Sequence, residues 1–357
     1  MKKLCLIFFS LFFSTGCVQE EILDDVSIIT VAGFDQAKDE QVEGTIVIPE
    51  YLQDQPVTGR VLSDTSILSR DIITDMQKKA SDPLVLGKIQ MVLFGEELAK
   101  GTGINDLVDA LQRDASIGSR VILAVTRGDS KSMLEGDYSN DGTATYLSNL
   151  ILHNQKDRDL PKTNLHLFLH QFFSKGKDSY LPIIKVTESG KDVEIDGLAV
   201  FDKERVASEL TNEQLFFFKL LTDGYTKGSY IVKMPDTKEI VSIKSIESST
   251  KFTLVSEDPL EVLFELKVDG TIREFTGDKI TQEKINKFEK HFEKIMEDRS
   301  VEMLEQFKEL NIDPVGVGDQ ISRRSRKFKV EEWDKYKSNY SLKVKADVTI
   351  SETGVID

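Results

Sequence analysis

Residues 88–134, KIQMVLFGEELAKGTGINDLVDALQRDASIGSRVILAVTRGDSKSML, decide the fold class. The run Val85–Phe94 is apolar enough to be a buried strand. Gly95–Lys100 starts a helix, Gly101-Thr102-Gly103 breaks it, and Ile104–Arg113 resumes helical spacing. Arg120–Thr126 (RVILAVT) is a second apolar strand, and Ser130–Leu134 is helical. Strand and helix in alternation imply a mixed sheet covered by helices.

Working outward, Val26–Phe34 and Gly44–Glu50 are β-branched strands, the second ended by Pro49. Thr65–Ala80 has helical spacing through Ile67, Leu68, Ile72, Ile73 and Met76. Downstream, Thr143–Asn154 and Leu165–Ser174 are helical, with a polar linker at Lys156–Lys162. Tyr180–Val186 contains Pro182, which predicts an edge strand or a strand start. Val193–Phe201 is a strand with a turn at Gly197, and Thr211 caps a helix through Leu221. From Tyr230 the pattern alternates in period two, as an antiparallel meander, and Asp269-Gly270 predicts a hairpin turn. Thr281–Leu310 is the longest helix. Its apolar stripe suits packing on the C-terminal sheet, and its opposite face is rich in Lys and Glu at i,i+4 spacing. Glu331–Ser338 is a short helix, and Ser341–Ile350 is a strand that closes the meander. The class expected is α+β (mixed α/β), in about three domains, each a mixed or antiparallel sheet flanked by helices. The divisions are a signal at 1–16, an N-terminal domain at 17–190, a small middle domain at 191–248 and a C-terminal domain with the long helix at 249–357.

The N-terminus explains the cysteine usage. Lys2 and Lys3 precede an apolar run, Leu4–Phe13, and Ser14-Thr15-Gly16-Cys17 follows. That is the layout of a secretory signal ending in a bacterial lipoprotein pattern, with Cys17 lipidated as the new N-terminus. The apolar run of about ten residues is too short for a bilayer, which needs roughly 20; ordinary secretion or an uncleaved helix is the alternative. Cys5 and Cys17 are the two cysteines of the chain. Loss of Cys5 with the signal leaves neither a disulfide nor a cysteine metal site. A net charge of −15 argues against nucleic-acid binding, which needs a basic face.

Motifs that carry chemistry are sparse. His166 and His170 stand at i,i+4, a metal-capable spacing, yet no cysteine or glutamate joins them. Asp137, Asn140 and Asp141 share a loop without a full calcium-binding pattern, and no Gly-x-Ser-x-Gly elbow occurs. No catalytic residue, metal or cofactor is assigned. Against the acidic background, Arg323, Arg324, Arg326, Lys327 and Lys329 gather beside Phe328 and Trp333. They are candidates for contact with anionic headgroups or an acidic partner loop.

In this order the segments resemble the Ger(x)C family, the C subunits of nutrient germinant receptors of bacterial spores. The resembling pieces are the lipoprotein start, VSIITVAGFD, Gly59-Arg60, the 88–134 stretch, LPIIKV, DGLAVFDKERVASELT, DPVGVGDQISRR, EEW and the closing strand. Ser14 stands where lipoprotein signals usually carry Leu, and Val18 where the family often has Trp. The resemblance implies three mixed α/β domains and a non-enzymatic, lipid-anchored subunit on the outer face of the spore inner membrane. It further implies A-type and B-type integral-membrane partners in sensing amino acids, sugars or nucleosides. A lipid-anchored solute-binding protein that captures the nutrient directly is the alternative. It would need an aromatic-lined cleft between similar lobes, whereas the chain has a single Trp and no internal repeat. A secreted enzyme is the third class, supported by no motif.

Overall fold

Strands β6 (Met91–Gly95) and β7 (Ile122–Thr126) are buried at every residue, as their unbroken apolar runs require. They lie at the centre of a sheet whose order is β10 (Arg205–Leu210), β9 (Val193–Asp202), β8 (Tyr180–Val186), β7, β6, β2 (Val31–Gln36), β3 (Val42–Glu50) and β4 (Thr58–Ser66). Strands β2, β6, β7 and β8 are parallel, and antiparallel pairs extend the sheet at both sides. A separate two-residue ribbon pairs β1 (Ser27–Ile28) with β5 (Leu84–Val85). This computed structural model describes residues 25–39, 41–51, 57–67, 69–277 and 279–351.

Alternate strand residues face opposite layers. Val92, Phe94, Leu123 and Val125 pack with α1 (Ser69–Gln77), α2 (Glu96–Lys100), α3 (Asn105–Arg113) and α6 (Leu165–Phe172). Met91, Leu93, Ile122 and Ala124 pack with α4 (Ser130–Leu134), α5 (Thr143–Asp157) and α7 (Asn212–Thr222). Each buried Val, Leu, Ile, Phe or Met among them contributes about 1.5–3 kcal/mol relative to exposure.

The second sheet has the order β11 (Ser229–Lys233), β12 (Ile240–Glu257), β13 (Leu260–Phe275) and β14 (Ser341–Ser351). Helix α8 (Gln282–Glu309) buries Phe288, Phe292, Met296 and Phe307, and the Thr281 hydroxyl caps it by accepting the Lys284 N–H. Along the outer edge of β14, the carboxylates of Glu297, Glu293 and Glu289 accept the N–H groups of Ala346, Val348 and Ile350 at 2.9, 3.2 and 2.8 Å. Helix α9 (Val317–Ser322) and a 3₁₀ turn (Val330–Lys335) lead into β14. Helix α7 joins the two sheets. Its Phe218 meets Tyr180 of the first sheet at 5.1 Å and Phe307 of α8 at 6.2 Å, while Phe216 meets Phe292 at 6.1 Å.

Several expectations are corrected. The expected helix from Thr65 begins at Ser69, after an unforeseen strand β4. Val85–Phe94 is two strands, because a turn at Gly87 closes with Ile89 N–H on the Leu86 carbonyl. Pro182 does not mark an edge, since β8 lies inside the sheet. Ser179 O accepts Phe201 N–H, so by alternation Pro182 N faces β7, and pairing with β7 starts only at Ile183. The missing N–H therefore costs no ladder bond. Gly197 is a bulge inside β9, at φ +126°, not a turn. Asp269-Gly270 does not turn either. Strand β13 runs straight through it, and the reversal occurs at Asp258-Pro259. Gly270 is there for clearance, since a Cβ would stand 2.6 Å from Ile243 Cγ2. The closing strand β14 pairs in parallel with β13. Residues 191–248 contribute to both sheets, through β9 and β10 to the first and through β11 and part of β12 to the second.

Candidate functional site

The carboxyl ends of parallel strands are where open α/β sheets place their ligands. Here that edge gathers Asp35 from β2, Glu96 after β6, and Arg127 to Ser130 after β7. The Asp35 carboxylate accepts Ser130 N–H and Oγ–H at 2.7 Å each and Lys131 N–H at 3.0 Å. Two glycines make room for it. A Cβ on Gly95 would lie 2.1 Å from Asp35 Oδ1, and one on Gly33 would lie 2.4 Å from Ser130 Oγ. Burial raises the Asp35 pKa, against the pull of the bonds from Ser130 and Lys131.

Arg127 is the hub beside it. Its guanidinium reaches Glu96 at 2.8 Å, Glu209 at 2.9 Å and Asp196 at 2.9 Å. Lys100 adds bonds to Glu96 at 2.6 Å and Glu209 at 2.7 Å, and Lys185 reaches Asp196 at 2.7 Å. Burial works against ionisation of Glu96, but the bonds from Lys100 and Arg127 prevail and bring its pKa to about 2. Glu209 and Asp196 are lowered by the same balance of burial against cationic partners. Carboxylates with lowered pKa stay ionised at neutral pH and do not act as general acids. The edge is filled by the chain's own side chains, which fasten α2, β7, β9 and β10 together. Glu96 and Arg127 lie inside the 88–134 stretch. Asp196 and Glu209 are far from it in sequence, and no spacing pointed to them.

The tract DPVGVGD (313–319) forms a second polar cluster, against residues 174–178. Asp313 N–H donates to Asp178 Oδ2 at 2.6 Å, and Asp178 N–H to the Asp313 carbonyl at 2.9 Å. The buried Asp313 carboxylate accepts the N–H groups of Gly316, Val317 and Gly318 at 2.8–2.9 Å. Burial pushes its pKa up to about 6 despite those bonds. Ser174 Oγ donates to Asp319 at 3.1 Å, and Asp319 N–H bonds Gly176 O at 3.0 Å.

The basic run follows directly. Arg323, Arg324, Arg326, Lys327 and Lys329 are all exposed. The loop is fixed by buried Ser325, whose hydroxyl accepts the N–H groups of Lys327 and Phe328, and by Phe328 packed on Trp333 and Tyr336. Arg324 bonds the Gln320 carbonyl at 2.9 Å and lies 5.0 Å over the Phe252 ring. None of the five forms an ion pair among the described residues. These cations are left without direct ionic partners, Arg323 bordering a cleft with His170 and Asp319 and Arg324 lying against β12. His166 and His170 are exposed on α6. No group of three or more His, Cys, Asp or Glu suited to a metal occurs among the described residues. Cys17 and the 1–16 segment lie outside the described residues.

Two family models match in tandem. The spore germination protein N-terminal domain matches residues 19–186, and the spore germination B3/GerAC-like C-terminal domain matches residues 196–354. The chain belongs to the GerAC family of spore germination proteins. Similar members of the GerAC family include spore germination protein GerQC of Bacillus cereus, 30% identical over 363 residues and covering 100% of both chains. Putative spore germination protein YfkR of Bacillus subtilis (strain 168) is 23% identical over 369 residues, covering 96% of this chain and 94% of that one. A crystal structure of the GerBC protein superimposes with a TM-score of 0.58 at 15% identity, covering 89% of this chain and 96% of GerBC. That likeness shows the fold, mixed sheets flanked by helices. Among the described residues no helix is long and apolar enough to cross a membrane.

Proposed function

We propose that this GerAC-family chain is a lipid-anchored, non-enzymatic subunit of a nutrient germinant receptor. It sits on the outer face of the spore inner membrane through Cys17 and assembles there with A-type and B-type membrane subunits. The observation that carries the reading is the tandem family match over residues 19–186 and 196–354, together with full-length similarity to GerQC. The signal ending at Cys17 supports the anchor: a diacylglyceryl group plus an N-acyl chain supplies the more-than-one chain that stable anchoring needs. The internally satisfied carboxyl edge of the main sheet supports a structural role for that edge. In this reading the cations at 323–329 contact the membrane surface or an acidic loop of a membrane partner.

Gene deletion followed by germination on a panel of single nutrients tests the role. Loss of the response to one nutrient class, with responses to others intact, is the expected result. Unchanged germination on every nutrient would overturn it. Cys17→Ala tests the anchor: the variant should leave the membrane fraction, and one that stays there with normal germination removes the anchor from the account.

A further inference from the structure

The two edges of the second sheet are treated differently. The β14 edge is covered by α8, whose three glutamates occupy the outward N–H groups of Ala346, Val348 and Ile350. The β11 edge is open. Met234 N–H bonds Glu239 O and Gly228 O accepts Ile246 N–H, so by alternation Ser229, Ile231 and Lys233 turn their backbone polar groups away from β12. Among the described residues only the Lys233 carbonyl of these has a partner, the ring of His291 at 3.2 Å. The N–H and C=O of Ser229 and Ile231 meet no backbone partner among the described residues. The Ile231 side chain is 58% exposed.

A groove of about 850 Å³ runs along this edge. Its two sides differ in chemistry. Toward the helices it is floored by Phe217, Tyr230, Ile295 and Met303, and the charges of Arg299 and Glu302 cancel in an ion pair at 2.9 Å, leaving Glu213 at the rim. Toward the open face of the sheet it carries Lys233, Lys244 and Arg273. None of those three forms an ion pair among the described residues, in a chain of net charge −15.

We propose that the β11 edge is a docking site for an extended segment of a partner protein, added as a further antiparallel or parallel strand. The guest must alternate: apolar residues toward Phe217 and Tyr230, acidic residues toward Lys233, Lys244 and Arg273. Main-chain bonds to Ser229 and Ile231 supply affinity, and the alternation supplies selectivity. This surface lies apart from the 323–329 cations and does not depend on the receptor reading.

The test uses the full chain and a fluorescein-labelled seven-residue peptide alternating Glu and Val. Saturable binding in anisotropy is expected. Binding should weaken at least tenfold for the peptide with Lys in place of Glu, and for one N-methylated on alternate residues. Ile231→Pro removes an outward N–H and no ladder bond, so it should keep the fold and cost at least tenfold in affinity. Should that variant not fold by circular dichroism, Lys244→Glu with Arg273→Glu decides: it should lose the acidic peptide and gain the Lys peptide. Absence of saturable binding overturns the proposal. So does equal binding of the acidic and basic peptides, or affinity unchanged in the folded variants.

Discussion

At the residue scale, the carboxyl edge of the main sheet rests on clearances as much as on charges. Gly95→Ala would put a methyl group 2.1 Å from Asp35 Oδ1, so the carboxylate must leave the three donors that hold it. Overpacking and the lost bonds together should cost about 3 kcal/mol in urea melts. Gly118→Ala, where a Cβ meets nothing within 4 Å, should stay within about 0.5 kcal/mol of the parent. Arg127→Met leaves Glu96, Asp196 and Glu209 facing one another. Because these groups are 20–29% exposed and Arg127 32%, water tempers the effect, and a loss of about 2 kcal/mol at pH 7 is expected. The sign with pH follows from the depressed pKa. The contribution of Glu96 is present above its ordinary value of 4.5 and is lost as pH falls from 4.5 toward 2. Melts of the parent should show that decline, and Arg127→Met should flatten it; an unchanged slope would place the acid sensitivity elsewhere. Asp313 runs the other way. Its raised pKa of about 6 makes its contribution greatest below about 3.8 and lost as pH rises through 6.

At the element scale, the edge of β14 shows what a sequence reveals and what it withholds. The helix around Glu289, Glu293 and Glu297 was plain from its apolar stripe. The glutamates themselves read as a solvated face spaced for lysine pairs. Their use depends on a coincidence of repeats. Four helix residues advance about 6 Å and two strand residues about 6.6 Å, so a helix laid beside a strand can meet every second N–H. The residue order, 289 to 350 and 297 to 346, shows that the two run antiparallel. No window on the sequence holds both partners. Substituting all three glutamates by Ala should cost about 1 kcal/mol per bond and produce concentration-dependent association in sedimentation. The triple Gln variant keeps the acceptors and should remain largely monomeric. Equal behaviour of the two would remove the hydrogen bonds from the explanation. Pro182, Gly197 and Gly270 were misleading for a related reason. The glycines were read for local turn chemistry and Pro182 for its missing N–H, but each is set by a neighbour distant in the chain.

At the scale of the whole molecule, strand and helix alternation gave the fold class, while the pairing of strands was not legible. Residues 193–210 join a sheet begun at residue 31, and no local pattern says so. The basic run at 323–329 was legible by contrast, because charge in an acidic chain needs no tertiary information. Reversing Arg323, Arg324 and Arg326 to Glu should keep the fold and cost about 1 kcal/mol, mostly the contacts of Arg324 with Gln320 and Phe252. Recovery of the receptor partners on co-purification should fall several-fold; normal recovery would sink the contact. The unequal edges of the second sheet bear, finally, on stoichiometry. A sheet open on both sides can be extended repeatedly, one unit after another. With β14 covered by α8, this sheet can grow only from β11, so two copies joined edge to edge through β11 would terminate as a closed pair. Through its second sheet the molecule can pair but cannot extend into a chain of copies.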